Sequence, residues 1–103
     1  FSMATFRWDL NDSLITYDLS DNDVSAQQIA DKSNGKLHTT ISLKDKPHKY
    51  SLPSTTLWYK GTKEDAERIF RQAFNQARPS SSSCKISKLL ITEVKAMSAY
   101  IED

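Results

Sequence analysis

The sequence is poor in cysteine and glycine, and it has no long hydrophobic run. Its single cysteine, Cys84, cannot form a disulfide within the chain, which favours a cytoplasmic protein. Two glycines, Gly35 and Gly61, are too few for the glycine-rich loops that bind nucleotide phosphates. No stretch approaches the roughly 18 apolar residues of a membrane-spanning helix, and no signal peptide is recognisable. The sequence therefore predicts a cytoplasmic protein without a membrane segment or a common nucleotide-binding loop.

Recognised catalytic and metal-binding motifs are also missing from the sequence. One cysteine cannot supply a Cys/His zinc site, and no glycine follows the acidic residues at the spacing of a calcium-binding EF-hand. The Gly-x-Ser-x-Gly motif of serine hydrolases is absent, and nothing marks Cys84 as a nucleophile. Whether the protein is an enzyme is therefore left open by its motifs.

The composition is that of one globular domain. The hydrophobic fraction is 38%, the charged fraction is 26% and the mean hydropathy is −0.59. A length of 103 residues predicts a single domain over residues 1–103. Phe1 and Ser2 precede Met3, so we interpret them as an addition left by cloning. The serine-rich residues 79–84 predict a flexible linker loop inside this domain.

Charge is distributed unevenly along the chain although the net charge is only +1. Residues 1–31 contain six aspartates and one arginine, a net charge of −5, and residues 32–103 carry +6. Such a chain could present one basic face to a phosphate backbone or to an acidic partner. The alternative is that the two halves neutralise each other in the folded protein.

The first half of the sequence predicts strands around a short helix. Residues 4–10 alternate between apolar and polar side chains, and residues 14–19 are nearly continuously apolar, which is typical of an edge strand and a central strand. Ser25 and Gln28 match a helix capping box. Asn34-Gly35 is suited to the left-handed end of that helix.

The second half predicts a hairpin, a long helix and a final strand. Residues 37–43 alternate. In the returning strand, Pro53 predicts either a break between residues 49–52 and 55–59 or a bulge or sheet edge at that point. Residues 62–77 have an apolar stripe at helical spacing behind the N-cap residue Thr62. Residues 86–96 predict a strand, and residues 94–101 are compatible with either a strand or a short helix.

The order of these elements predicts an α+β fold. Removing the first strand leaves β-α-β-β-α-β, the split β-α-β pattern of ferredoxin-like domains. Right-handed connections would place both helices on one face of an antiparallel sheet. We expect the additional N-terminal strand to extend this sheet at one edge.

One segment resembles a known family. Residues 14–20, Leu-Ile-Thr-Tyr-Asp-Leu-Ser, are similar to the first strand of the small ferredoxin-like CRISPR-associated spacer-acquisition proteins and of their relatives, the GhoS-type antitoxin endoribonucleases. The layout of residues 14–103 also resembles these families. This chain differs from them in two features: its first helix is unusually short for these families, and a strand precedes the motif. The resemblance implies RNA cleavage or metal binding at a dimer interface, with Asp18 as the catalytic residue.

Acidic residues near Asp18 raise the question of a metal ion. Asp21 and Asp23 follow Asp18 closely, and Asp9 and Asp12 would lie across the hairpin. Clustered carboxylates favour hard cations such as Mg²⁺. Alternatively, Asp21 and Asp23 cap the first helix and complement its dipole. We therefore predict no cofactor and no metal-ligating residue, with Mg²⁺ as the ion to test.

Basic residues suggest where RNA would bind. Aromatic side chains in the sheet and cations around them could hold single-stranded RNA by stacking and charge. Alternatively, the helix arginines pair with Glu64 and Glu67, and the hairpin lysines prevent aggregation at the sheet edge. His38 and His48 could share acid–base chemistry with an aspartate, or be ordinary surface residues. The predicted RNA-binding residues are Lys44, Lys46, Lys49, Arg68 and Arg71.

Two functions follow from these patterns. The first is a small ferredoxin-like protein that binds or cleaves RNA, similar to the antitoxin endoribonucleases. The second is a non-enzymatic protein-binding module, such as an antitoxin, an immunity protein or a regulatory protein. In both cases we expect a homodimer, because the broken strand at Pro53 and the added N-terminal strand leave sheet edges that a second chain could cover.

Overall fold

A computed structural model describes residues 2–6, 12–42, 49–94 and 97–101. These residues form an α+β fold with an antiparallel four-stranded sheet and two helices. None of their helices has the length and apolarity needed to cross a membrane. In chain order the elements are β1 (Ser2–Phe6), β2 (Asp12–Leu19), α1 (Ala26–Asp31), β3 (Leu37–His38), β4 (Thr40–Ser42), β5 (Lys49–Ser51), β6 (Thr56–Tyr59), α2 (Lys63–Ala77), β7 (Ile86–Val94) and β8 (Met97–Ile101).

The four-stranded sheet has the order β3-β6-β2-β7, and all neighbouring strands are antiparallel. Strand β2 lies inside the sheet, where Ile15 is opposite Leu57 of β6 and Ile91 of β7. This position explains the nearly continuous apolar run, since a central strand is covered more fully than an edge strand. The predicted central strand at residues 14–19 is thus confirmed, with two further residues at its start.

Side chains of β2 alternate between the two faces of the sheet. Ser13, Ile15 and Tyr17 are buried beneath the helices, whereas Thr16 and Asp18 are exposed on the other side. We call the first side the covered face and the second the helix-free face. This alternation separates the hydrophobic core from the surface that is open to a ligand.

Helix α2 supplies the largest part of the core. Its apolar stripe packs against β2 and β7, and Phe70 is fully buried against Tyr17, with 4.8 Å between ring centroids. Thr62 is the N-cap, and its side chain accepts a hydrogen bond from the Asp65 backbone amide. The predicted helix and its cap are confirmed. The buried residues of the stripe are Ala66, Ile69, Phe70, Ala73 and Phe74.

Helix α1 is short but well capped. Ser25 and Gln28 form the predicted capping box, in which each side chain accepts a hydrogen bond from the other residue's backbone amide. The helix contacts α2 and buries Ile29, so both helices lie on the covered face. Asn34 and Gly35 have φ angles of 58° and 76°, which confirms the predicted left-handed conformation after the helix.

The strand predicted at residues 37–43 is divided. Residues 37–38 pair with β6 as β3, while residues 40–42 pair with β5 as β4. Pro53 lies in the gap between β5 and β6, so the predicted break in the returning strand is confirmed. At this gap Thr55 has a φ of 58°, an uncommon conformation for a β-branched residue. The two breaks allow the β4–β5 ribbon to leave the plane of the sheet.

The N-terminal strand does not extend the edge of the four-stranded sheet. Instead, β1 pairs with β8 in a separate two-stranded ladder, so the expected sheet extension is wrong. The reason is the antiparallel pairing of β2 with β7, which brings the strands flanking them to the same end of the sheet. Asp12 is opposite Val94 in one ladder, and Phe6 is opposite Met97 in the other. Of the two possibilities for residues 97–101, the structure therefore has the strand.

Candidate functional site

A pocket of about 530 Å³ lies between the β4–β5 ribbon and the sheet. Residues of β2, β3 and β6 contribute its wall on the sheet side, and β4 and β5 contribute the other wall. We call this cavity the sheet pocket. Its lining residues are Asp12, His38, Thr40, Ile41, Ser42, Lys49, Trp58 and Lys60.

Strand register places His38 and Trp58 in this pocket. The two residues are opposite each other in the β3–β6 ladder, so their side chains lie on the same face of the sheet. Their neighbours Leu37 and Leu57 are buried in the core on the covered face. Because strand side chains alternate, His38 and Trp58 belong to the helix-free face.

The Asp12 carboxylate fixes the Trp58 ring. The indole Nε1–H donates a hydrogen bond to Asp12 Oδ2 over 2.6 Å, and the two residues are only 7% and 4% exposed. A buried indole N–H needs an acceptor, and an ionised acceptor gives a stronger bond than a neutral one. This contact joins residues 46 positions apart and holds one wall of the sheet pocket in place.

The remaining polar groups of the pocket are mostly hydrogen-bond donors. Lys49 and Lys60 are exposed, and neither forms a salt bridge with another of the described residues. Two hydroxyl groups, of Thr40 and Ser42, and the imidazole of His38 line the same cavity. Asp12 contributes one formal negative charge and the two ammonium groups contribute two positive charges, so the lining of the pocket has a net positive charge. The arrangement suits an anionic ligand with several oxygen acceptors.

Sequence reasoning missed Asp12 and Lys60. Asp12 is a residue type common in turns, and we expected it near Asp9 in the hairpin, but it is the first residue of β2 and is buried. Trp58 could have indicated that an acceptor such as Asp12 lies nearby, because the indole N–H of a buried tryptophan needs a hydrogen-bond acceptor. Lys60 follows β6 directly and carries no pattern of its own.

Asp18 lies away from the sheet pocket. It is exposed near the other end of β2, opposite Lys88 of β7, and its backbone carbonyl accepts a hydrogen bond from Ser87 Oγ. It lies six positions along the strand from Asp12, a distance of about 20 Å. The structure therefore does not bring Asp18 together with His38.

Asp21 and Asp23 lie in the loop before α1 and both accept hydrogen bonds, whereas Asp9 lies outside the described residues. Asp21 Oδ1 accepts a hydrogen bond from the Asp23 amide, and Asp23 Oδ2 accepts one from Ser82 Oγ over 2.7 Å. Ser82 also accepts a hydrogen bond from the Cys84 amide, so the serine-rich loop is bonded to the loop before α1. In the described part of the chain, no three side chains form a group that could hold a metal ion. A role for Mg²⁺ stays a prediction.

The predicted basic residues divide between two surfaces. Lys49 lines the sheet pocket, whereas Arg68 and Arg71 lie on the outer side of α2, beyond the covered face. Arg71 pairs with Glu67 over 3.0 Å as expected, and Arg68 contacts Asp65 over 3.5 Å rather than Glu64. Lys44 and Lys46, like His48, fall outside the described residues. The structure does not place the helix arginines beside Lys49.

Two reactive side chains are buried in the core. Tyr17 is 2% exposed, its hydroxyl has no hydrogen-bond partner among the described residues, and burial raises its pKa to about 12. Cys84 is fully buried beside the Asp21 carbonyl, and burial raises the pKa of its thiol. A raised thiol pKa lowers the fraction of reactive thiolate. Both side chains have the surroundings of core residues.

Comparisons of the chain with known protein families, with curated proteins and with solved structures find no match. The similarity of residues 14–20 to the antitoxin endoribonucleases therefore stays a prediction.

Proposed function

We propose that the protein binds single-stranded RNA in the sheet pocket and is a small ferredoxin-like protein similar to the GhoS-type antitoxin endoribonucleases. The observation that supports this proposal most is the sheet pocket itself. It places Lys49 and Lys60 beside hydroxyl groups on the face of the sheet that no helix covers. A second, smaller pocket beside α1 is lined by Asp31 and by neither lysine nor arginine.

The strand order supports the ferredoxin-like part of the proposal. Without β1 and β8, and with β3–β4 and β5–β6 each taken as one interrupted strand, the chain runs β-α-β-β-α-β. Strands β2 and β3 are parallel to each other with β6 between them, as a right-handed β-α-β connection across one intervening strand would give. Both helices lie on one face, which leaves the opposite face for a ligand.

The size and chemistry of the pocket suit a nucleotide. A volume of about 530 Å³ lies within the range of small-molecule sites. Ammonium groups bind phosphate oxygens as point charges, and hydroxyl groups can bond a ribose 2′-hydroxyl or a base edge. Trp58 is too buried to stack fully on a base, so charge and hydrogen bonds provide most of the affinity in this proposal.

RNA binding is testable through its dependence on salt. Affinity for a fluorescent ten-nucleotide RNA would be measured by anisotropy between about 20 and 200 mM salt. Each phosphate contact contributes a log–log slope of roughly −0.7 on single strands, so three contacts give about −2. Replacing Lys49 and Lys60 together by Ala should flatten the slope by about 1.4.

A matched control separates the two basic surfaces. Arg68→Ala with Arg71→Ala removes the same charge from the helix side, and this double variant should keep the native slope. If the arginine variant flattens the slope and the lysine variant does not, the RNA-binding surface is on α2. Absence of binding at about 20 mM salt would contradict the proposal and favour the protein-binding module.

Cleavage is tested in the same assay by gel analysis of the RNA, with and without Mg²⁺. The family resemblance assigns catalysis to Asp18, whereas His38 is the imidazole that lines the sheet pocket. Loss of cleavage in Asp18→Ala would support the endoribonuclease assignment. Loss in His38→Ala alone would place the chemistry in the sheet pocket. Intact RNA with native protein would mean that the protein binds RNA without cutting it.

A further inference from the structure

Strand β7 has an open edge. It is nine residues long and is the last strand of the four-stranded sheet, with β2 on one side. No strand among the described residues pairs with its other side. Leu90, at the middle of the strand, is 65% exposed. A long edge strand with an exposed apolar centre readily pairs with another strand.

The usual protection against edge pairing is weak in β7. The strand contains no proline and only two charged residues, Lys88 and Glu93. The register irregularity of the β2–β7 ladder lies at one end, between Asp18 and Leu19, and leaves the remainder of β7 regular. The outward-facing backbone donors and acceptors of β7 are therefore not paired with any other described strand.

We propose that two copies of this chain pair through β7 in antiparallel orientation, with the two-fold axis passing through Leu90. The two four-stranded sheets would then form one continuous eight-stranded sheet. The partner is a second copy because the strand is complementary to itself. The proposal rests on the β7 edge and does not depend on RNA binding.

The register follows from the residue pairs that the axis creates. Residues opposite each other in an antiparallel ladder share a face, so a two-fold axis at Leu90 places each Leu90 against its copy. It also places Lys88 opposite Thr92, and all nine residues of β7 find a partner. The same axis pairs Ile86 with Val94, Ser87 with Glu93 and Leu89 with Ile91.

Neighbouring registers are less favourable. An axis at Leu89 would place Lys88 opposite Leu90, and an axis at Ile91 would place Glu93 opposite Leu89. Each of these sets a charge against an aliphatic side chain and leaves residues at one end unpaired. The Leu90 register avoids both defects, so it is the one we expect.

This pairing would bring the two sheet pockets to the same side of the dimer. Five strand spacings of about 4.8 Å separate the two β6 strands, which gives about 24 Å. If the proposed RNA binding is correct, one single strand could contact both pockets. RNA of ten nucleotides should then bind the dimer more tightly than a monomeric variant, because the second contact is intramolecular.

Mass measurements test the interface directly. Native protein should show twice its 11.7 kDa mass by sedimentation equilibrium at about 100 µM, with dissociation on dilution. Leu90→Lys sets two ammonium groups against each other at the axis, and it should raise the dimer dissociation constant at least tenfold. The matched control is Thr16→Lys, because Thr16 is exposed beside Leu90 on β2. It should leave the mass unchanged.

Cysteine cross-linking tests the register. Leu90→Cys places two thiols opposite each other at a Cα separation of about 4.5–5.5 Å, which permits a disulfide. Lys88→Cys has its copy four residues out of register, so it should not cross-link. Native Cys84 is buried, so cross-linking of the native protein gives the background level. A monomer at 100 µM, an unchanged dimer in Leu90→Lys or cross-linking by Lys88→Cys alone would overturn the proposal.

Discussion

The covered and helix-free faces of one sheet have different chemistry. On the covered face, Ile15 and Leu57 are fully buried with Phe70 of α2. On the helix-free face, Thr16 is exposed although it follows Ile15 in β2, and Leu90 of the edge strand β7 is exposed beside it. In each strand, residues that point to the covered face stabilise the core, and the alternate residues form the surface. Substitutions on one face should leave the properties of the other largely intact.

The sheet pocket is the exception that makes the comparison informative. Trp58 is on the helix-free face, yet it is almost as buried as the core. Its burial comes with a polar bond to Asp12 rather than with apolar packing against a helix. Trp58, held by Asp12, is thus a rigid point of the helix-free face, and it lines the proposed binding site.

The largest effect is expected on the covered face. Phe70→Ala removes a fully buried ring and should lower the free energy of unfolding by about 3–5 kcal/mol. The control Leu90→Ala changes an exposed side chain and should alter it by less than about 0.5 kcal/mol. Urea unfolding measures both at a concentration that keeps one oligomeric state. A loss below 1 kcal/mol for Phe70→Ala would mean that α2 does not cover the core as described.

The Tyr17 hydroxyl makes the covered face sensitive to alkaline pH. Its pKa is about 12 in the folded protein and 10.0 in the unfolded chain, so burial favours the neutral form. That contribution is complete below pH 10 and is lost as the pH rises towards 12, by up to about 2.7 kcal/mol. Tyr17→Phe should remove this part of the pH dependence of the free energy of unfolding, as measured by urea unfolding at a series of pH values. If the variant loses as much unfolding free energy at alkaline pH as the native protein, other groups cause that loss.

A smaller effect is expected at the rigid point of the helix-free face. Asp12→Ala removes the acceptor of the Trp58 indole and should cost about 2 kcal/mol. Asp18→Ala, at an exposed aspartate of the same strand, is the control and should change stability by less than about 0.5 kcal/mol. Tryptophan fluorescence should shift in the first variant and not in the second. Equal effects in both would show that the buried bond does not stabilise Trp58.

Elements whose pattern is local could be predicted from the sequence. The stripe of α2 and the capping box of α1 lie within a few turns of chain, and both were found where expected. The separation of β5 from β6 followed from Pro53, whose missing amide cannot join a ladder. In each case, the physical cause is contained within one element.

Features that depend on distant residues could not be predicted in this way. The pairing of β1 with β8 depends on which strands flank the antiparallel β2 and β7, and local alternation does not contain that information. The bond between Asp12 and Trp58 likewise joins two strands through the final register. The sheet pocket therefore emerges only when the strand order is known.

The β1–β8 ladder has a mechanical consequence. Ser2 and Ile101 are cross-strand partners, so the chain enters and leaves the described structure side by side. Force applied between these two residues would act on the hydrogen bonds of the ladder one residue pair at a time, starting from the Ser2–Ile101 pair. A ladder pulled in this direction yields at lower force than one pulled along its strands, because its hydrogen bonds break in sequence rather than together. Any segments preceding Ser2 and following Ile101 would therefore begin as neighbours, and tension between them would open β1 from β8 before it reached the four-stranded sheet.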